Sequence, residues 1–523
     1  TGGLNTAEDP SVIGENQLQE AVGLEYRPPR TGLFNTYGRS TYSNTATDMG
    51  GHNIHGLVYA HFDASAAGSR IYAFAGSSLW SANATATTPQ GFTKPLSIFT
   101  DTDFGDAVHY DDSYFFFNGI DQSVAALGSL GATGFFRHGL VSTTSSGSAA
   151  LETGGALAAG TYEMWWTEHE PDLTIESAYT GTPTSVTLSA SGAAIRFTVG
   201  TQGNASANTW RLYMGVSGQK YPYGAIQASG IAFSPGTALV STAQNSTFYP
   251  IVQFPNSPAV SANTRGPVLY DATVFHDCIV GISAPDRQAI VYSLPDQPHS
   301  FPSSYFIPVE TEWQDTLNAV EVCNNSLLAF TSSRGYRIDN LPFHTDGDDA
   351  TAMRGRAKEP FCSFHGCISP RGLAIFNVVG DAELCAFVCR DGIHITNGFK
   401  TDYGASEALD WSDTVNVSRL DESTLKNNPK HFRIEFRYFD NDGLSQRLDF
   451  YYHPKLLIQK QELGFPRLAI LGPIRVPGTA AAIGVRFDEW ASFCGHSSTT
   501  GIYLEGTGNV DSAGLENTDQ RIN

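Results

Sequence analysis

The sequence predicts an all-β protein, a β-propeller that carries an inserted β-sandwich. Three observations lead to this fold class. Most of the chain consists of short apolar runs separated by glycine and proline, one hairpin pattern recurs at a blade-sized spacing, and the stretch 151–235 differs in composition from its surroundings.

The strands are predicted from runs of about four to eight residues rich in aromatic and β-branched side chains, and helical periodicity is scarce. The 52 glycines and 26 prolines supply the turns. We expect Tyr114–Phe117 to be blade core, because a base-stacking surface would carry interleaved lysine and arginine. The clearest runs are Gly56–Asp63, Arg70–Gly76, Ser113–Gly119, Ser185–Ala190, Ala194–Gly200, Thr273–Ile282 and Arg433–Phe439.

An internal repeat favours the propeller. Ser326–Asn340 aligns without gaps on Glu383–Asn397, at an offset of 57 residues, and Arg70–Asn83 is a looser third copy. Each copy fits a strand, a tight turn and a returning strand, although two generic hairpins could also coincide by chance. The matching pairs are Ala329 and Ala386, Phe330 and Phe387, Gly335 and Gly392, Ile338 and Ile395, and Asn340 and Asn397.

Changes in composition divide the chain. The segment after residue 150 is rich in alanine, serine, threonine and glycine and contains several short strand patterns, as expected of a small inserted sandwich. The predicted organisation is an amino-terminal arm (1–45), a first group of blades (46–150), the inserted sandwich (151–235), a second group of blades (236–505) and a carboxy-terminal tail (506–523).

The net charge disfavours a nucleic-acid-gripping surface. Lysine and arginine number 31 against 52 aspartate and glutamate residues, which gives −21. Such a surplus repels phosphate groups, although nucleic acid could still pass nearby. The amino terminus has no basic stretch followed by an apolar run, and no run approaches the roughly 18 apolar residues of a membrane-spanning helix. We therefore expect a soluble protein made in the cytoplasm.

The cysteines number seven, an odd count that argues against a disulfide framework. Their apolar settings predict small buried side chains. A zinc site on Cys362, His365, Cys367, Cys385 and Cys389 is the alternative, but the spacing lacks the tight CxxC of structural zinc sites. The seven cysteines are Cys278, Cys323, Cys362, Cys367, Cys385, Cys389 and Cys494.

Other clusters of polar residues suggest chemistry, but each is better explained as a turn or a solvated loop. Neither a nucleophile elbow nor a phosphate-binding loop of the Walker type is present. We therefore expect no enzyme and no catalytic, cofactor-binding or metal-binding residue. The clusters considered are the possible metal ligands His52, His55, His61 and Asp63, and the acidic groups Asp101, Asp103 and Asp106, and Asp346, Asp348 and Asp349.

Three stretches carry a family resemblance. The amino-terminal stretch departs from the family pattern at one point, because Gly23 and Leu24 stand where the family often has an Asn-Val pair. The second stretch surrounds Gly160–Tyr162 and Trp210–Tyr213. The first stretch is marked by Gly3, Leu4, Asn5, Pro10, Gln17, Leu18, Gly32, Leu33 and Gly38, and the third by Tyr292, Ser293, Pro295, Asp296, Phe301 and Pro302.

In these stretches, and in their order, the chain resembles the tail hub or nozzle β-propeller proteins of short-tailed double-stranded-DNA bacteriophages. The second stretch resembles the immunoglobulin-like or fibronectin-like insert of such proteins. The resemblance implies a structural virion protein of the tail, without cofactors, made in the host bacterial cytoplasm.

The resemblance also implies partners. We expect a homohexameric ring below the portal and its adaptor, with tail spikes or fibres and a needle or plug protein at the tip. Genome DNA passes through such a ring during ejection without sequence-specific binding. A receptor-binding or glycan-cleaving tail propeller and a capsid-decorating protein are the alternatives. The acidity would either line the DNA channel or keep a large β protein soluble.

Overall fold

The structure is a computed structural model of the 523-residue chain. It describes residues 3–4, 17–18, 21–22, 24–26, 33–35, 38–41, 49, 52, 54–62, 69–83, 93–96, 99–100, 104–127, 135–139, 147–170, 175–177, 184–191, 193–198, 209–216, 238–241, 266–309, 315–343, 358–362, 365–378, 383–399, 401–406, 409–429, 432–452, 457–462, 470–475, 490–495, 502–508 and 521–522.

The chain forms two compact units. Unit one consists of Thr1–Phe135, Val268–Ile290 and Ile307–Asn523, and unit two of Phe136–Pro267 and Val291–Phe306. Short strands open the chain: β1 (Gly3–Leu4), β2 (Gln17–Leu18), β3 (Ala21–Val22), β4 (Leu24–Tyr26), β5 (Leu33–Asn35) and β6 (Gly38–Thr41).

The described part of the chain contains eight four-stranded sheets, of which seven are serial meanders, numbered here as sheets 1 to 7. Sheet 1 contains β7 (Ile54–His61), β8 (Ser69–Ala75), β9 (Ser78–Asn83) and β10 (Thr93–Leu96). Sheet 2 contains β11 (Asp106–Tyr110), β12 (Ser113–Phe117), β13 (Val124–Leu127) and β14 (Phe135–Arg137). The next seven strands, β15 to β21, form separate sheets: β15 (Ser148–Leu157), β16 (Gly160–Glu170), β17 (Ile175–Glu176), β18 (Thr184–Leu188), β19 (Ala193–Thr198), β20 (Thr209–Val216) and β21 (Ala238–Ser241).

Sheet 3 contains β22 (Leu269–Phe275), β23 (Cys278–Ser283), β24 (Ala289–Tyr292) and β25 (Phe306–Pro308). Sheet 4 contains β26 (Leu317–Cys323), β27 (Ser326–Thr331), β28 (Gly335–Ile338) and β29 (Glu359–Cys362). Sheet 5 contains β30 (Leu373–Asn377), β31 (Glu383–Val388), β32 (Ile393–Thr396) and β33 (Thr401–Gly404). Sheet 6 contains β34 (Thr424–Asn428), β35 (Arg433–Phe439), β36 (Ser445–Tyr451) and β37 (Leu457–Glu462).

Sheet 7 takes its strands from both ends of the chain. It contains β38 (Ile470–Arg475), β39 (Trp490–Gly495) and β40 (Ile502–Gly508), and the amino-terminal strand β6 pairs with β40. In that pair Ser40 lies opposite Leu504 and Arg39 opposite Glu505. A last strand, β41 (Arg521–Ile522), pairs with β3.

The sheets of unit one are arranged in order. The first strand of each sheet lies next to the first strand of the following sheet, from β7 and β11 through β22, β26, β30 and β34 to β38, and β38 lies next to β7. Serial four-stranded meanders of this kind are the architecture of β-propeller blades. The predicted all-β, propeller-type fold class is therefore confirmed.

The core lies between consecutive sheets. One cluster joins sheets 1 and 2 through side chains such as Tyr72, Phe74 and Phe116. Further clusters join sheet 4 to sheet 5 and sheet 5 to sheet 6. Tyr114, Phe115, Phe116 and Phe117 are all buried, so the prediction that this run is core is confirmed.

The predicted hairpin repeat is also confirmed. Its copies are β8–β9, β27–β28 and β31–β32, the second and third strands of sheets 1, 4 and 5. The first of these turns has Gly76 at φ +56°, where a side chain would be strained. The pairing register differs between the two closer copies, because Ala329 faces Tyr336 whereas Ala386 faces Ile395.

Unit two contains two sheets. One is β15-β19-β21, and in the other β16 pairs with β17, β18 and β20. Tyr162, Met164 and Trp166 on β16 are buried. The predicted insert, 151–235, falls inside this unit's first segment.

Helix is rare in the described residues, and unit one has two short helical segments. They are α1 (Trp411–Thr414) and a 3₁₀ helix (Val417–Glu422) between sheets 5 and 6. Within the described ranges, no helix has the length and apolar character needed to cross a membrane.

Candidate metal centre

Among the residues that the structure describes, histidine, cysteine, aspartate and glutamate side chains bring three or more ligand atoms together in one place. The group consists of His365, Asp391 and His394, whose ligand atoms lie within 4.8 Å of one another. All three belong to unit one, and His394 lies on a strand of sheet 5.

Local structure explains why these residues meet. Asp391 lies in the turn between β31 and β32, His394 lies on β32, and His365 lies in the segment that leads into β30. Backbone hydrogen bonds hold that segment against β31: Ile368 N–H donates to the Val388 carbonyl (3.0 Å), and Val388 N–H donates to the Gly372 carbonyl (3.0 Å).

The carboxylate of Asp391 is shared between the two imidazoles. His365 Nε2 lies 3.2 Å from Oδ2, and His394 Nε2 lies 3.2 Å from Oδ1. The two imidazole rings stack with centroids 4.1 Å apart. The His394 side chain is 10% exposed, that of His365 33% and that of Asp391 58%, so the group is open to solvent on the aspartate side.

The turn beneath the group is itself fixed. Cys389 N–H donates to the Gly392 carbonyl at 2.7 Å, and the Cys389 thiol donates to the Gly366 carbonyl at 3.0 Å. These bonds join the residues next to His365 to those next to Asp391. Two imidazole nitrogens and the carboxylate of Asp391 are thus held within 4.8 Å of one another, a grouping that can bind a divalent ion.

The cysteines of the zinc alternative do not join this group. Cys367, Cys385 and Cys389 lie in the apolar cluster between sheets 4 and 5, together with Cys323. Burial raises the pKa of both Cys323 and Cys367 to about 12, and it raises the pKa of Cys385 well above its usual value. The prediction that cysteines are small buried side chains is confirmed for six of them: Cys278, Cys323, Cys362, Cys367, Cys385 and Cys389.

The amino-terminal histidines are not brought together as metal ligands in the described residues. His55 lies on β7, and its carbonyl accepts a hydrogen bond from Arg371 Nη1 at 2.6 Å. The ring of His52 lies against Gly76 in the β8–β9 turn. Asp63 lies outside the described residues, as do Asp101, Asp103, Asp346, Asp348 and Asp349.

Asp106 belongs to a second polar group, on the first strands of sheets 2 to 4. Desolvation raises the pKa of Asp271 well above its usual value, and the negative charges of Asp106 and Glu321 also raise it. A hydrogen bond donated by Val320 N–H to the Asp271 carboxylate partly offsets this rise. Burial likewise raises the pKa of Glu321, which accepts from Thr273 Oγ1 at 3.1 Å. This group ties adjacent strands together and can retain a proton on Asp271.

The histidine-aspartate group was not predicted, although His365 was considered with the cysteines. One sequence signal could have indicated it. In the aligned hairpins, Asp391 and His394 stand where the other copy has Arg334 and Arg337. Arg337 instead forms ion pairs with Asp339 and Glu359, both at 3.0 Å.

Comparison with known proteins adds little on function. No family profile and no curated protein matches the chain. Similar solved structures include the Dos1 propeller (10% identity, covering 91% of this chain and 96% of the other, TM-score 0.36). They also include a putative 6-phosphogluconolactonase from Bacteroides fragilis (9% identity, covering 86% of this chain and 89% of the other, TM-score 0.33). A third is the β-propeller domain of the Trilobed protease from Pyrococcus furiosus (8% identity, covering 80% of this chain and 98% of the other, TM-score 0.26). With TM-scores this low, these likenesses support no conclusion about activity.

Proposed function

We propose that the chain is a structural β-propeller subunit of the tail of a short-tailed double-stranded-DNA bacteriophage, the hub or nozzle, without catalytic activity. The proposal rests on the three stretches of sequence resemblance and on their order in the chain. The serial four-stranded sheets are compatible with it, but they would equally suit propellers of other functions.

The observation that carries the proposal is the place of the amino-terminal stretch in the fold. The resemblance pattern of that stretch ends at Gly38, which begins β6, and β6 completes sheet 7. The role of this segment is then structural, because it joins the first and last parts of the chain. We further propose that unit one is a closed ring of seven blades, fastened by β6.

We also propose that unit two is the immunoglobulin-like or fibronectin-like sandwich. Its two sheets offer the required layers, and β15 of one lies next to β18 of the other. The buried Trp166 and Tyr162 on the long central strand β16 supply the kind of apolar face that a second sheet covers.

In the proposed assembly, six copies form a ring below the portal and its adaptor, and the ring carries tail spikes or fibres and a plug. Genome DNA passes along its axis. The net charge of −21 suits this role, because an acidic wall repels phosphate groups and leaves no strong contacts to slow the moving DNA.

The test is the mass of the purified full chain, by multi-angle light scattering, with and without the tail proteins encoded beside it. A hexamer, or a monomer that becomes hexameric with its adaptor, is expected. A trimer or a persistent monomer that binds or cleaves surface glycans would contradict the proposal and support a receptor-directed propeller.

A further inference from the structure

We propose that His365, Asp391 and His394 bind one divalent transition-metal ion, zinc by their donor set, and that this ion fastens the segment before β30 to the β31–β32 turn. The site is independent of the proposed tail function. It would act as a cross-link between that segment and sheet 5, where the neighbouring Cys367, Cys385 and Cys389 are free thiols.

The geometry suits a tetrahedral ion. Two imidazole nitrogens and a carboxylate are common ligands of zinc, with bonds of about 2.0–2.2 Å, which place adjacent ligand atoms roughly 3.3 Å apart. Both Nε2 atoms of the group lie 3.2 Å from an oxygen of Asp391. The three ligand atoms lie within 4.8 Å of one another, and the two Nε2 atoms face different oxygens of the carboxylate. One ion can reach all three ligands once the stacked imidazole rings turn so that their lone pairs converge.

The charges also favour an ion. A divalent ion accepts the lone pairs of the two stacked imidazoles and is partly neutralised by the carboxylate of Asp391. All three side chains then coordinate the same ion.

The choice of zinc follows from the ligand types. Imidazole nitrogen suits zinc, copper, nickel and iron, whereas magnesium and calcium prefer oxygen ligands. With three protein ligands and an exposed aspartate, a fourth position faces solvent, where water or a group of a neighbouring protein can complete the coordination.

Zinc titration of the EDTA-treated full chain by isothermal calorimetry tests the proposal. We expect one zinc ion per chain, no comparable binding of Mg²⁺ or Ca²⁺, and a raised Tm with zinc. Asp391→Asn should weaken zinc binding at least about 10–100-fold, because it removes a charged ligand. Asp391 is exposed in a turn, so this variant should keep the fold.

His276→Asn is the matched control. His276 is exposed in a turn of sheet 3 with φ +49°, a conformation that asparagine also accepts, and it lies outside the group. This variant should bind zinc as the parent chain does. His394→Gln provides a second loss-of-ligand variant, provided that its circular dichroism matches the parent.

Cobalt substitution identifies the ligands. With nitrogen and oxygen ligands, the cobalt form should show visible d–d absorption without thiolate-to-cobalt charge transfer in the near ultraviolet. Charge transfer would place the ion on cysteines and overturn the proposal. Unchanged zinc affinity in Asp391→Asn, or no zinc binding by the parent chain, would also overturn it.

Discussion

Phe330 and Phe387 occupy the same position in the two closer copies of the repeated hairpin, and their rings pack against each other with centroids 4.8 Å apart. Both side chains are fully buried, between sheets 4 and 5. The sequence repeat is therefore also a packing unit: each copy supplies one side of the same interface between neighbouring sheets.

Phe330→Ala should destabilise unit one strongly. The substitution removes the contacts with Phe387 and Phe361 and leaves a cavity, which costs about 3–5 kcal/mol in the free energy of unfolding. Phe399→Ala is the control, because Phe399 is 58% exposed and lies under Arg337. Urea denaturation should show a change below about 1 kcal/mol for this variant. Equal losses for the two variants would contradict the interface.

A buried charge network lies on one face of sheet 6. Glu435 is 1% exposed, and its carboxylate accepts from Arg433 at 2.7 Å and from Arg437 at 3.1 Å. On the next strand, Arg447 Nη2 donates to Asp449 at 3.1 Å. The opposite face of the sheet is apolar, with Phe436 in the cluster shared with sheet 5.

Glu435→Gln should lower the free energy of unfolding by about 3–5 kcal/mol, because it leaves two buried guanidinium groups without their shared carboxylate. The matched surface change is Glu359→Gln, which breaks the pair with Arg337 where the glutamate side chain is 68% exposed. That change should cost less than about 1 kcal/mol. Urea melts of the two variants should separate clearly, and overlapping melts would show that the network contributes little.

Acid should destabilise unit two through its buried histidines. Burial lowers the pKa of His138 to about 4, although a 2.6 Å hydrogen bond between its Nε2 and the Pro298 carbonyl partly offsets the effect of burial. Burial also lowers the pKa of His299. Each imidazole is neutral in the folded unit but binds a proton in the unfolded chain below about pH 6.5. For His138, stability should therefore fall as the pH falls from about 6.5 to 4, by up to about 1.4 kcal/mol per pH unit, and His299 should add to the loss in the same direction as the pH falls below about 6.5.

The measurement is the denaturation midpoint of unit two at several pH values, followed by an NMR or fluorescence probe in that unit. A His138→Gln/His299→Gln variant should show a flatter pH dependence. His109→Gln, which changes an exposed histidine on β11, should keep the parent slope. If the denaturation midpoint of the double variant changed with pH as steeply as that of the parent chain, the pH dependence would have to come from other groups.

The buried thiols should be unreactive in the native protein. Desolvation, with the charges of Glu383 and Glu321, raises the pKa of Cys323 to about 12. Desolvation also raises the pKa of Cys367 to about 12. Very little thiolate is then present at pH 8. Mass mapping after iodoacetamide treatment should find both residues unlabelled in buffer and labelled in urea, whereas rapid native labelling of either would show that the cluster opens.

The sequence predicted the sheets well because their signal is local. Aromatic and branched runs such as Tyr114–Phe117, with turns such as Gly76 between them, determine strands and hairpins without long-range information. The copies at an offset of 57 residues also located the second and third strands of sheets 4 and 5. The shifted pairing of Ala386 was not predictable, since register depends on packing with the neighbouring sheets.

Long-range contacts account for what was missed. The pairing of β6 with β40 joins residues more than 450 positions apart, and no local pattern specifies it. His365 meets Asp391 and His394 only because backbone bonds place the segment before β30 against β31. The sequence spacing of these three residues matches no established zinc motif, so only the folded sheet brings them together.

The most direct test of the central claim is single-particle cryo-electron microscopy of the purified full chain with its tail adaptor. The account predicts a six-fold ring in which each subunit contains a seven-bladed disc, with β6 as the outer strand of the seventh blade. Subunits without six-fold order, a different number of blades, or an amino-terminal segment placed away from β40 would contradict it.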